Sequence, residues 1–114
     1  MDRQQLIDLD HLDRYVAGDR ALRDEILAIF EEQAEMWTRM LDPQAEDSAW
    51  RDAAHALKGA SRGVGAWEVG HLCQEAEGMI GDEARAPDRR MAALEALREK
   101  VHATVAEVRR LRNL

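Results

Sequence analysis

Apolar residues in this chain return at the spacing of a helix in four long segments, and a backbone breaker closes each of the connections between them. Gly18-Asp19, Asp42-Pro43, Gly63-Val64-Gly65 and the stretch from Gly81 to Pro87 are the breakers. A short amphipathic segment from about Leu6 to Val16 comes first, with Leu9, Leu12 and Val16 on one side. Gly18 ends it and Asp19 can cap the second helix, about Arg20 to Leu41. On size and spacing, that helix is expected to bury Leu22, Ile26, Ile29, Phe30, Met36, Trp37 and Met40. Asp47 or Ser48 is expected to cap a third helix that frays near Gly63. The fourth runs from about Trp67 to Ile80, with Val69, Leu72, Cys73, Ala76 and Ile80 inward. Pro87 suits the first turn of the last, which shows Leu94, Leu97, Val101, Val105 and Val108 on one stripe. Only two prolines and five aromatics occur, so nothing competes strongly for strands. The expected fold is all-α: one domain over residues 1–114, an antiparallel up-down four-helix bundle with a short N-terminal capping helix.

Charge and cysteine usage narrow the function. The net charge of −7 argues against nucleic acid as the main partner, because phosphate backbones select basic surfaces. A single cysteine, Cys73, excludes an internal disulfide and a cysteine-rich zinc site. No apolar run approaches the roughly 18 residues of a membrane span. The start Met1-Asp2-Arg3-Gln4-Gln5 does not read as a signal peptide. A cytoplasmic, monomeric protein is expected.

The functional clue is a histidine on the outer side of the third helix. Trp50, Ala53, Ala54, Leu57, Ser61 and Val64 share one stripe, and His55 projects roughly 150° from its centre. Arg51, Lys58 and Arg62 fall on the histidine's side. Gly59, one turn on, leaves open space where a side chain would crowd the ring. Free imidazole titrates near about 6.5, so a neutral nucleophilic ring is well populated at neutral pH. An exposed imidazole among cations suits attack on an anionic group.

Other residues carry plainer readings. Gly59, Gly63 and Gly65 do not form a phosphate-binding loop, because the Lys-Ser/Thr ending and a preceding strand are missing. Gly63 and Gly65 also suit an ordinary helix end. Glu68-Val69-Gly70-His71 and Glu99-Lys100-Val101-His102 fit the Glu-x-x-His spacing of di-iron bundles, but both pairs are expected to face water, so no metal site is expected. His11, His71 and His102 read as surface histidines. Gln33 falls at the centre of the second helix's apolar stripe, where a buried amide needs a backbone partner or a role near the site. Trp37, Trp50 and Trp67 read as core or core-edge residues, and Glu31-Glu32 and Arg109-Arg110 as solvated surface.

The run His55-Ala56-Leu57-Lys58-Gly59-Ala60, with Gly65 ten positions after the histidine, resembles the signature of histidine-containing phosphotransfer (HPt) domains. Phe30 and Gln33 before it and Leu72-Cys73 after it extend the likeness from Leu9 to about Leu111. The resemblance implies that His55 is the phosphoryl acceptor through Nε2 and that Lys58 helps hold the phosphoryl oxygens. It implies that Gly59 leaves room for a docking receiver domain, with Arg51, Arg62 and Gln33 as candidate partner contacts. Some members carry Ser after the glycine; Ala60 here offers no hydroxyl. The implied partners are receiver domains of a hybrid histidine kinase and of a response regulator. The implied chemistry needs no cofactor of the chain's own, the divalent metal ion lying on the receiver. Kinase nucleotide-binding motifs and a second domain are absent from these residues, so the expected form is a free-standing phosphohistidine carrier without kinase activity. The alternative is a helical adaptor in which His55 is incidental.

Overall fold

The computed structural model describes residues 5–82 and 86–113, and among them all regular structure is helical. The polar start Met1–Gln4 and the middle of the turn before Pro87 lie outside the described residues. Five helices follow in order: α1 Leu9–Tyr15, α2 Arg20–Met40, α3 Asp47–Gly63, α4 Trp67–Glu77 and α5 Pro87–Arg112. Local sequence accounts for most of these boundaries. Asp8 caps α1 by accepting from His11 N–H at 3.1 Å, and Asp19 caps α2 by accepting from Leu22 N–H at 3.0 Å. Pro87 opens α5, where its missing N–H costs nothing. Three boundaries differ from expectation. The first helix begins at Leu9 rather than near Leu6. In α3 the cap position falls to Glu46, whose side chain makes no cap bond, because Asp47 already lies in the helix. In α4 the helix stops at Glu77, and Gly78 opens the connection ahead of Ile80.

The four long helices close into a ring: α2 packs on α3 and α5, and α4 packs on α3 and α5. At its centre lie Leu27, Phe30 and Ala34 of α2, Trp50, Ala54 and Leu57 of α3, Val69, Cys73 and Ala76 of α4, and Leu94, Leu97 and Val108 of α5. α1 closes the end where α3 turns into α4, through Ile7 and Leu12. This is a helical bundle with a short N-terminal helix over one end.

The core face of α2 is not the one its largest residues suggest. Leu27, Phe30, Ala34 and Thr38 point inward, whereas Leu22, Ile29, Met36 and Met40 are exposed, Ile29 and Met40 by more than half. Gln33 follows them out and is exposed, so it has no burial penalty to offset. The inner face thus mixes two large residues, Leu27 and Phe30, with two small ones, Ala34 and Thr38. Thr38 fits there by donating its hydroxyl to the Ala34 carbonyl at 2.6 Å, which turns its methyl to the core. Trp67 is exposed, and Trp37 is half-buried at the core's edge. Glu31 is not free surface either: Arg109 and Arg112 of α5 pair with it across the α2–α5 seam.

A buried arginine locks the end of the bundle opposite α1. Arg90 of α5 is almost fully enclosed, and its guanidinium lies 4.9 Å from the Trp50 ring centre. It donates to the carbonyls of Met79, Pro43 and Ala45 and to Asp47 Oδ1 at 2.7 Å. One side chain thereby ties the α2–α3 connection, the start of α3 and the segment after α4 to α5. Arg90→Met roughly keeps the volume but removes the shared donor to three carbonyls and the charged partner of Asp47 Oδ1, while Asp47 Oδ2 keeps the Gly81 N–H. It is expected to cost about 3 kcal/mol and lower the thermal midpoint by roughly 10 °C, read from melts of the two proteins.

Candidate functional site

Trp50 sets the register that builds the site. Its indole N–H donates to the Ala76 carbonyl at 2.7 Å, fixing the last turn of α4 against the first turn of α3. The next residue, Glu77, then faces the outer side of α3. Glu77 Oε2 lies 2.7 Å from His55 Nδ1, and Oε1 accepts from Lys58 Nζ at 2.6 Å. Lys58 above all holds the Glu77 carboxyl below its ordinary range; burial opposes it, and His55 adds a smaller lowering. An ionised carboxylate only accepts, so the proton of a neutral His55 sits on Nδ1 and the Nε2 lone pair is free. The ring remains largely open, its side chain 67% exposed.

The remaining predicted residues divide. Gly59 is exposed, and a Cβ there would meet nothing within 4 Å. Gly59, Ala60, Arg62 and Gly63 form one wall of an open groove beside His55. Ile26, Ile29, Phe30 and Gln33 of α2 form the other, and His11 and Tyr15 of α1 close its end. Gln33 and Arg62 therefore join the surface next to the histidine, Arg62 while bonded to Gln74 of α4. Arg51 does not line the groove; its guanidinium pairs with Asp52 at 3.6 Å. Lys58 is not a free surface cation. Its side chain is only 16% exposed and lies along the α3–α4 seam on the Nδ1 side of the ring.

Sequence reasoning missed Glu77. The signal available was its place four residues after Cys73 and next to Ala76, at the edge of the inward stripe of α4. Which face of α3 that edge meets is decided only by packing. Cys73 itself is enclosed, and burial, with a smaller contribution from Glu77, pushes its thiol up to about 12, so it stays protonated.

α1 is fastened to this end of the molecule by Asp8. Its amide donates to Gly65 O at 3.0 Å, and its carboxylate accepts from Trp67 Nε1 at 2.9 Å. Gly65 is required twice over: its φ is +79°, and a Cβ would lie 2.9 Å from Asp8 Cβ. His11 packs edge-on against Trp67, with Nε2 3.3 Å from Gly63 O. The Glu-x-x-His pairs do not converge. His71, Glu99 and His102 are exposed, while Glu68 is half-buried against Lys100. Among the described residues no group of three or more His, Cys, Asp or Glu is placed to hold a metal ion, and no helix is long and apolar enough to cross a membrane.

Comparison with known proteins agrees with this architecture. The model of the Hpt domain family matches residues 20–111, and the chain belongs to that family. Among solved structures it is similar to the histidine phosphotransferase ShpA from Caulobacter crescentus. The two are 38% identical over 90% of this chain and 93% of that one, with a TM-score of 0.63. No curated protein matches the chain.

Proposed function

We propose that this chain is a phosphohistidine carrier. In this reading His55 takes a phosphoryl group from an aspartate of one receiver domain and passes it to an aspartate of another. The observation that carries the reading is the state of the His55 ring: Nδ1 is engaged by Glu77, and Nε2 is left as an unhindered nucleophile facing solvent. Family membership and the likeness to a histidine phosphotransferase support it.

Phosphoryl transfer needs in-line approach and charge stabilisation more than covalent help from the protein. The chain supplies the nucleophile on a rigid helix. The receiver supplies the acidic pocket and its divalent metal ion, and the carrier holds no cofactor of its own. The apolar groove along Ile26, Ile29 and Phe30 is the docking surface. Gln33 and Arg62 lie on its rim, and Tyr15 of α1, 70% exposed, extends it. The partners are receiver domains of a hybrid histidine kinase and of a response regulator, met in the cytoplasm by a monomeric carrier. Arg51, paired away from the groove, is not part of this surface.

Two variants test the reading. His55→Gln should fold as well as wild type, since an exposed side chain contributes within about ±0.5 kcal/mol, yet take no acid-labile label from a phosphorylated receiver. A labelled variant would show that another residue is the acceptor. Gly59→Gln should melt at or above the wild-type midpoint, because helix propensity rises by about 1 kcal/mol and the added atoms meet open space. Its transfer to a cognate receiver should slow by roughly 10²-fold, measured by rapid quench, as the approach to His55 is obstructed. Transfer at the wild-type rate would remove Gly59 from the docking surface.

A further inference from the structure

The carboxylate beside His55 has two oxygens and two different cationic or proton-bearing partners. In the resting protein Oε1 holds Lys58 and Oε2 holds the Nδ1 proton of His55. Lys58 therefore spends its charge on Glu77, on the side of the ring away from Nε2. Groups acting on Glu77 are Lys58 and His55, both from α3; Cys73, one turn back on its own helix, is a neutral thiol. With the ring in its nucleophilic neutral form, the resting cluster is a balanced pair, one anion and one cation.

Transfer changes that balance. The Nε2 lone pair forms the N–P bond while the aspartyl O–P bond breaks, and its electrons return to the receiver's carboxylate. No proton moves: the one on Nδ1 stays, so the ring becomes a phosphoimidazolium with one positive charge. Glu77 now has two cationic neighbours, while Lys58 is held on the Nδ1 side of the ring, away from the new phosphoryl dianion. Lys58 lies one turn along α3 from His55, on a flexible four-carbon stem, and is free to leave once the ring has replaced it as the partner of Glu77. When the phosphoryl group departs, the N–P electron pair returns to Nε2, the ring is neutral again, and Lys58 returns.

We propose that Glu77 is a positioning residue acting as a counter-ion switch: it holds Lys58 in the resting carrier and the His55 phosphoimidazolium in the loaded one, releasing Lys58 to the phosphoryl oxygens. This rests on His55 being the acceptor. The switch makes loading and unloading mirror images that require no proton transfer, as a carrier working between two aspartates requires. It also sets a pH dependence. An anion against the loaded ring favours its cationic form, so the ring keeps its Nδ1 proton to higher pH than it would beside a neutral group.

The test uses the full chain, wild type and Glu77→Gln, loaded with phosphoramidate so that no receiver is involved. Gln keeps an acceptor for Nδ1–H and removes only the charge. Nitrogen NMR of the resting protein should show the Nδ1–H tautomer in wild type. In the loaded protein, the pH at which phospho-His55 loses its Nδ1 proton should fall by about one unit or more in Glu77→Gln. Transfer to a receiver should then weaken with rising pH, the variant losing several-fold more than wild type between pH 6 and pH 8 for a shift of about one unit. The Lys58 ammonium resonance should shift on loading of wild type. If the loaded ring titrates at the same pH in both proteins, or the resting wild-type ring is the Nε2–H tautomer, the switch is refuted while His55 remains the acceptor. If wild-type His55 takes no phosphoryl group from phosphoramidate or a receiver, the carrier reading fails and the switch fails with it.

Discussion

The bond from the Trp50 indole to the Ala76 carbonyl is the constraint on which the site depends. A fully buried indole needs an acceptor for its N–H, and the acceptor is a carbonyl in the last turn of α4 that also accepts from Met79 N–H. The bond fixes how far α4 slides along α3. With the slide fixed, Glu77 can only meet His55 and Lys58. Arg90 reinforces the arrangement from the other face of the same indole. A core decision made by one aromatic side chain thus reaches the surface as the state of a histidine.

The chemistry proposed for this bundle needs no pocket around the reacting atom. His55 stands on a rigid helix with one ring nitrogen engaged and the other exposed. What surrounds it is a surface, with an apolar groove on the α2 side and a charged seam on the α4 side. That division suits a carrier. On the proposed reading the groove is where partners would dock, while Glu77 on the seam engages the Nδ1 side of the ring. α1 belongs to the first task, since Asp8, Gly65 and Trp67 hold it where Tyr15 extends the groove.

Most helix ends were legible because their signals are local: Asp19 as a cap, Gly18 and Pro43 as breakers, and Pro87 as a start; the Asp8 cap of α1 was not among them. His55 was legible because its angle from the apolar stripe of α3 follows from helical geometry alone, and Gly59 for the same reason. The inner face of α2 was not, because size misleads where two stripes compete. Ala34 and Thr38 face the core, while Ile29, Met36 and Met40 face out toward the groove side or solvent. Gln33 was misplaced with them. Glu77 was invisible for a different reason. It lies 22 residues from His55, and only the packing of α4 on α3 brings the two together. Lys58 was found as a residue near the histidine, but its resting partner could not be known without Glu77.

The most direct test of the account is the position of the phosphoryl group on the His55 ring. Nitrogen–phosphorus couplings in the loaded protein, labelled at histidine nitrogen, distinguish the two ring positions. With Nδ1 held by Glu77, the account predicts a single phosphorylated species, bonded at Nε2 of His55. Phosphoryl bonded to Nδ1, or to any other residue, would contradict it.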